Sequence, residues 1–143
     1  MTIKSILDAK SHDIYSVSHG AKLREAIALL NEKNVGVVLI TDDAGKLAGI
    51  LSERDIVRRS LLQETGFRDE AVTKSMTKDV FTVGPDATVD DVMEIMTTSR
   101  IRHVPVLDGD KITGVISIGD VVKRKIADAE NEAAAMRDYI TAG

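Results

Sequence analysis

The chain has 143 residues, a net charge of −4, no cysteine, no tryptophan, and only two tyrosines and two phenylalanines. This length suits one domain with one hydrophobic core, and the missing cysteines exclude disulfides, thiolate metal sites and cysteine nucleophiles. An acidic chain with few rings is a poor candidate for binding nucleic acid, which needs phosphate-neutralising cations or stacking aromatics. With no apolar run near the roughly 18 residues of a membrane span, and with charged residues early in the chain, we expect a cytoplasmic protein.

The sequence contains an internal repeat. Residues 13–17 match residues 79–83 at an offset of 66, and the apolar positions of the following segment keep that offset. One residue is then lost in the second copy near Ala44, and the offset becomes 65. Three further positions coincide at the new offset: Gly49 with Gly114, Ser52 with Ser117, and Asp55 with Asp120. A tandem duplication therefore accounts for nearly the whole chain.

Both copies predict the same order of elements, β-α-β-β-α, so the fold class is α/β (α+β). In the first copy we expect a lead-in strand at 14–17, a helix around 23–30, strands at 35–40 and 47–51, and a helix from Glu53. In the second copy we expect a lead-in strand at 80–83, a helix around 89–96, strands at 101–107 and 112–116, and a helix from Ile118. The helices follow from apolar residues at i, i+3, i+4 and i+7, and the strands from β-branched runs between turn signals.

The repeat also predicts the domain organisation. Neither copy is large enough to bury a stable core alone, so the two should pack with pseudo-two-fold symmetry into one module over residues 1–143. Its parts are repeat one at 13–61, a connector at 62–78, repeat two at 79–127 and a C-terminal helix at 128–143. A pair of this kind leaves two equivalent clefts at the seam, and such seams are common ligand sites.

Each copy closes with Gly-apolar-apolar-Ser-x-x-Asp, at 49–55 and 114–120. The serine and aspartate stand where a strand ends and a helix begins, and free N–H groups there suit a phosphate. The carboxylate could accept both hydroxyls of a ribose diol. Ser-x-x-Asp is also the spacing of a helix capping box, and the two roles are compatible.

These units resemble CBS domains, a family named after cystathionine β-synthase, arranged as the pair known as a Bateman module. The resemblance rests on the two closing motifs and on residues 100–108, Arg-Ile-Arg-His-Val-Pro-Val-Leu-Asp. The first copy departs from this pattern, having Leu39 where the second has Pro105. The similarity covers about residues 13–127 and is to small stand-alone bacterial CBS-pair proteins.

The resemblance implies regulation by an adenosine-containing ligand such as AMP, ATP or NAD(H). The closing aspartate would hold the ribose and the serine would help bind phosphate, giving Ser52 and Asp55 in one cleft and Ser117 and Asp120 in the other. Binding would shift a conformational or association equilibrium felt by a regulated protein that the sequence does not name.

The resemblance also places the adenine, against the backbone of the lead-in and central strands. The residues at these positions are Ser16, Val17, Val37, Val38, Thr82, Val83, His103 and Val104. Since the chain has so few rings, only Tyr15 and Phe81, at equivalent positions on the lead-in segments, could offer one to the adenine.

Basic residues follow the first motif and precede the second pair of strands. We expect Arg54 and Arg102 to contact the ligand, because guanidinium groups suit phosphate oxygens. His103 fits either a phosphate contact or a partly buried strand position. Arg58 and Arg59 are expected on a solvated helix face.

No arrangement of residues predicts catalysis. The chain has no Walker-type glycine-rich loop, no clustered histidines and glutamates for a metal, and no recognisable nucleophile with its base. We therefore expect no catalytic residue, no catalytic cofactor and no metal ligand.

The closing segment predicts association. Its apolar residues are spaced 4, 3, 4, 3 and 4 apart in the manner of a heptad seam: Val122, Ile126, Ala129, Ala133, Met136 and Ile140. This helix could fold back on its own module or pair with the same helix of a second chain, and we expect a homodimer. The alternative function is a ligand-independent dimeric interaction or scaffold protein with empty clefts.

Overall fold

A computed structural model describes residues 2–10 and 13–142 and gives both repeats the predicted α/β architecture. The first part of the chain forms α1 (Ile3–Ala9), β1 (Ser16–Ser18), α2 (Leu23–Lys33), β2 (Val37–Thr41), β3 (Leu47–Ser52) and α3 (Glu53–Leu62). The connector holds two 3₁₀ turns, Phe67–Asp69 and Val72–Lys74. The second part forms α4 (Val89–Ser99), β4 (His103–Asp108), β5 (Lys111–Ser117) and α5 (Ile118–Ala142).

The strands form two small sheets, one in each repeat. β1 pairs in parallel with β2, which pairs antiparallel with β3, while β4 and β5 form an antiparallel pair. Both sheets carry a register shift at the same place, between Ile40 and Thr41 in the first and between Val106 and Leu107 in the second. Because these positions are 66 residues apart, the duplication extends to the irregularities of the fold.

The lead-in segments of the two repeats differ. In the first, the Leu39 N–H donates to the Tyr15 carbonyl at 2.9 Å. In the second, Pro105 replaces Leu39 and has no N–H, so the equivalent bond to the Phe81 carbonyl cannot form. The predicted second lead-in strand is therefore reduced to one parallel bridge at Val83. The Phe81 ring is 51% exposed.

Each repeat has its own apolar core, to which a segment preceding that repeat contributes. Ile3, Ile6 and Leu7 of α1 are buried with the core residues of repeat two, and the Ile3 N–H donates to the Ala87 carbonyl at 2.8 Å. In the same way Val72 of the connector is fully buried in the core of repeat one. Helix α1, which the apolar pattern did not predict, thus lies on repeat two.

These packing arrangements explain the glycine of the repeated motif. A Cβ atom on Gly49 would lie 2.8 Å from the Thr77 carbonyl oxygen, and one on Gly114 would lie 2.6 Å from Leu7 Cδ2. Backbone hydrogen bonds of 2.9 and 3.0 Å join Thr77 to Ile50 in both directions. Glycine therefore lets the connector and α1 approach the two strands closely.

The last helix, α5, is continuous over 25 residues. The predicted start of a C-terminal helix at residue 128 lies inside it. Met136, Tyr139 and Ile140 are exposed, so within the described residues this end does not fold back on its own module. No helix among residues 2–10 and 13–142 combines the length and the apolar character that crossing a membrane requires.

Candidate functional site

Ser52 and Asp55 form a reciprocal capping box at the junction of β3 and α3. Asp55 Oδ2 accepts from the Ser52 N–H at 2.8 Å and from the Ser52 hydroxyl at 3.0 Å, and the Asp55 N–H donates to Ser52 Oγ at 3.3 Å. Within the described residues, no group donates to Asp55 Oδ1. The carboxylate can therefore cap the helix and still accept hydrogen bonds from a ligand.

A cavity of about 710 Å³ opens beside Asp55 at the seam between the repeats. Repeat one lines it with Gly36, Val37, Ile50, Ser52, Glu53, Arg54, Asp55 and Arg58. The connector and repeat two line it with Thr77, Asp79, Val80, Phe81, Ser99, Arg100, Ile101, Arg102 and His103. Its size falls within the roughly 300–1,000 Å³ of small-molecule sites, and neither repeat forms it alone.

Six of the predicted ligand residues line this cavity: Val37, Ser52, Arg54, Asp55, Arg102 and His103. Eight others do not: Ser16, Val17, Val38, Thr82, Val83, Val104, Ser117 and Asp120. Val38 and Val104 are buried in the two cores, because successive residues of a strand point to opposite faces of the sheet. The first closing motif and the start of β4 therefore both line the cavity.

Two arginines that were expected on a solvated helix face are placed otherwise. Arg58 lines the cavity, since it lies one turn after Arg54 on the same face of α3. Arg59 makes hydrogen bonds of 2.9 and 2.5 Å to Glu70 of the connector. These bonds from Arg59 hold the pKa of Glu70 below its usual value and tie the connector to α3.

The segment from Thr77 to Phe81 supplies a wall of the cavity, and of this segment the sequence reasoning had named only Phe81, as a ring for the adenine. It reaches the cavity because Thr77 pairs with Ile50, next to the glycine that allows the close approach. Phe81 is there, while its equivalent Tyr15 packs against the first core with the Lys33 ammonium 5.6 Å from its ring. The sequence did carry a signal for this difference. Pro105 has no N–H, so Phe81 cannot pair with the neighbouring strand as Tyr15 does.

The cavity lining is rich in arginines. Four of them line it: Arg54, Arg58, Arg100 and Arg102. In the part of the chain that the structure describes, none of the four forms an ion pair. Three carboxylates, those of Glu53, Asp55 and Asp79, share the same walls. Guanidinium groups bind phosphate oxygens through paired donors, and a carboxylate binds hydroxyls, so the lining suits a phosphorylated polyol.

His103 is the partly buried histidine at the seam. Burial is the main cause that lowers its pKa from the usual 6.5, and Lys10 and Arg102 lower it further, whereas the carboxylates of Asp120 and Glu53 raise it. Its Cε1 atom would lie 3.7 Å from a Cβ atom on Gly36 of the other repeat. The imidazole therefore packs across the seam and favours the neutral form.

The lowered pKa of His103 predicts a loss of stability in mild acid. Its contribution to the free energy of unfolding is present in full above pH 6.5 and is lost as the pH falls through the lowered folded-state value, because the unfolded chain binds the proton first. We expect urea denaturation to give a lower free energy of unfolding at about pH 5.5 than at about pH 7.5. His103→Asn should flatten this dependence. An equal slope in wild type and His103→Asn would contradict the assignment.

The second motif has the same box but other surroundings. The Ser117 N–H donates to Asp120 Oδ2 at 2.9 Å, and the Asp120 N–H donates to Ser117 Oγ at 3.2 Å. Asp120 is also paired with Lys10, at the end of α1, with Nζ 2.7 Å from the same Oδ2 atom. The two repeated carboxylates are therefore alike in backbone geometry and unlike in their neighbours.

Both repeats of the chain match the same protein-family model. The model of the CBS domain matches residues 3–62 and again residues 70–126. The chain belongs to the CBS domain family. The two matches correspond to the two repeats, each with the segment that precedes it, so the resemblance seen in the closing motifs is confirmed over most of the chain.

Solved structures show the same CBS pair. A CBS-domain containing protein from Agrobacterium tumefaciens is 38% identical, with a TM-score of 0.84 over 87% of this chain and 99% of that one. A CBS domain protein from Pyrobaculum aerophilum, complexed with AMP, is 26% identical, with a TM-score of 0.75 over 84% and 89%. The CBS domain pair of protein MJ0100, in complex with 5′-methylthioadenosine and S-adenosyl-L-methionine, is 28% identical, with a TM-score of 0.76 over 90% and 98%. The chain spans 60 to 66% of the length of the first curated relatives that it matches.

Proposed function

We propose that the chain is a regulatory module that binds an adenosine nucleotide in the Asp55 cavity. The observation that carries the proposal is the meeting of Asp55 and four arginines in one cavity of about 710 Å³. Among the described residues, one carboxylate oxygen of Asp55 accepts no hydrogen bond and none of the four arginines forms an ion pair. Adenosine ligands bound to two related CBS structures support it. AMP is the simplest ligand that offers both a ribose diol and a phosphate.

In this proposal each wall of the cavity has a role. Asp55 accepts hydrogen bonds from the ribose hydroxyls, and the Ser52 hydroxyl with Arg54 and Arg58 binds the phosphate at the start of α3. The adenine lies between the Val37 side of β2 and the Phe81 ring, which is the one aromatic side chain among the described residues that line the cavity. Additional phosphates, as in ATP or NAD(H), would reach Arg100 and Arg102 across the seam.

A thermal-shift panel of AMP, ADP, ATP, NAD(H) and S-adenosylmethionine tests the proposal. A ligand at about 100 times its Kd adds roughly 2.7 kcal/mol of stability, which raises the Tm of a domain of this size by roughly 5 to 10 °C. We expect a shift of this size with at least one nucleotide, and a smaller shift with adenosine, which lacks the phosphate. Guanosine monophosphate at equal concentration is the control. No shift with any member of the panel would overturn the proposal.

We further propose that the chain forms a homodimer through α3 and α5. Val57 and Leu61 on α3 are exposed, and so are their repeat equivalents on α5, Val122 and Ile126. An apolar stripe that is repeated in both copies and lies on the surface is typical of an association surface. A second copy of the chain is the partner that such a stripe fits, because a two-fold interface places the same patch on both sides.

The alternative function is that of a ligand-independent interaction protein whose product is the dimer surface. The exposed stripe on α3 and α5 favours it, since it does not depend on the cavity. Pull-down of a cellular partner separates the two functions. Under the nucleotide proposal, capture changes with added AMP and loses that response in Asp55→Asn. Capture that is equal with and without AMP, in wild type and variant, would favour the alternative.

A further inference from the structure

The two closing motifs have the same chemistry, but their carboxylates have different neighbours. Asp55 and Asp120 stand at equivalent positions and each accepts the N–H of the serine three residues earlier, at 2.8 and 2.9 Å. Asp55 lines the cavity at the seam. Asp120 has a side chain that is 22% exposed and already paired. The difference therefore comes from what lies against each carboxylate.

Lys10 lies against Asp120. Its ammonium is 2.7 Å from Asp120 Oδ2 and donates to the Val115 carbonyl oxygen at 3.1 Å. Val115 is the repeat equivalent of Ile50, whose carbonyl accepts the Thr77 N–H. A lysine side chain from the end of α1 thus reaches the strand and the carboxylate that form the ligand side of the other repeat.

The repeat offset identifies the counterpart of Lys10 as Met76, 66 residues later. Met76 is uncharged, and its Sδ atom lies 2.6 Å from where a Cβ on Gly49 would stand. No cation therefore comes from this position toward Asp55. The two carboxylates have different neighbours because one pair of equivalent residues differs. A lysine precedes repeat one and a methionine precedes repeat two.

The charge of Asp120 is stabilised in this pair. Burial raises its pKa, but the hydrogen bonds from Lys10 and from the Ser117 N–H outweigh burial, and the pKa lies below its usual value. Asp120 Oδ2 already accepts two donors, one of them the ammonium, while Oδ1 accepts none among the described residues. A ribose diol that bound Oδ1 would lie beside the ammonium and would interact with a carboxylate whose charge is already paired, which weakens the interaction.

We propose that Lys10 is an internal competitor at the second site, so that the chain binds one nucleotide at Asp55 and binds a second at Asp120 more weakly for as long as Lys10 is present. This inference rests on the proposed function of the Asp55 cavity. Helix α1 itself is anchored, because Ile3, Ile6 and Leu7 are buried. The Lys10 side chain is 35% exposed, and partly exposed ion pairs are weak, so the lysine competes with a ligand without sealing the site.

Equilibrium dialysis of the 143-residue chain with radiolabelled AMP tests the inference by measuring the affinities of the two sites. We expect a tight site and a weaker second site in wild type, and Lys10→Met should raise the affinity of the second site by about two- to fivefold. Lys4→Met is the matched control, because Lys4 is an exposed lysine of the same helix, and it should leave both affinities unchanged. Adding Asp120→Asn to Lys10→Met should weaken the second site again without changing affinity at the first site. Lys10→Gln should behave as Lys10→Met.

The outcomes are distinguishable. An affinity of the second site that is equal in wild type and Lys10→Met, or no second site in either protein, would overturn this inference and leave the proposed function intact. Two sites in wild type, with the second weakened by Lys10→Met, would also overturn it, because Lys10 would then be a phosphate ligand. No AMP bound to wild type or to any variant would overturn the proposed function and this inference together.

Discussion

Asp55→Asn is expected to weaken AMP binding by about 10- to 100-fold, because hydrogen bonds to a charged group are worth about 1.5–3 kcal/mol and each 1.4 kcal/mol is a factor of ten. Asparagine keeps an oxygen that can accept the Ser52 N–H, so the cap of α3 and the fold should persist. The loss should therefore appear in the Kd measured by isothermal titration calorimetry. The Tm of the ligand-free protein should change little.

Asp91→Asn is the matched control for this substitution. Asp91 forms the same box with Thr88 at the start of α4, accepting its N–H at 3.0 Å, and does not line the cavity. The hydrogen bond from the Thr88 N–H is the main cause that lowers the pKa of Asp91. Each of the two substitutions removes one capping carboxylate. If Asp55→Asn binds AMP as tightly as Asp91→Asn does, the assignment of the site is wrong.

The double substitution Leu61→Glu and Ile126→Glu is expected to convert a dimer into a monomer. Each introduced carboxylate would be buried in the apolar interface, and removing an unpaired charge from water costs several kcal/mol. We expect sedimentation velocity to show the chain mass of 15.5 kDa for the variant and twice that mass for wild type. The dimer dissociation constant should rise by at least about 100-fold.

The monomer itself should tolerate this change. Leu61 and Ile126 are 76% and 54% exposed, so neither substitution removes a core contact. Asn131→Glu adds a carboxylate elsewhere on α5 and should leave the wild-type mass unchanged. A wild-type protein that sediments as a monomer, or a double variant that remains a dimer, would contradict the proposed interface.

The periodicity of the apolar residues and the internal repeat predicted the order of the helices and strands. The 3.6-residue pattern predicted α2 and α4, and the β-branched runs between turn signals predicted β2 to β5. The closing motif predicted that Ser52 and Asp55 stand at a helix start, because the same spacing caps the helix and leaves a carboxylate oxygen free. These features depend on residues a few positions apart, and a single sequence carries them.

The rest of the site depends on contacts between distant segments. Thr77 and Phe81 reach the cavity because the connector crosses β3, and Lys10 reaches Asp120 because α1 packs on repeat two. The sequence predicted two equivalent clefts, because the two closing motifs carry the same residues. Their difference lies in residues 10 and 76, which precede the repeats and carry no motif of their own.

The cavity walls come from both repeats, and this has a consequence for what a ligand can control. A bound molecule touching both halves adds its binding free energy to the joint between them, so its concentration would set how stiff that joint is. The ion pair between Lys46 and Asp110, which also joins the repeats, is solvent-exposed and weak by comparison. Helix α3 belongs to repeat one and helix α5 begins in repeat two. The concentration of a bound metabolite would therefore act on the mutual orientation of these two helices.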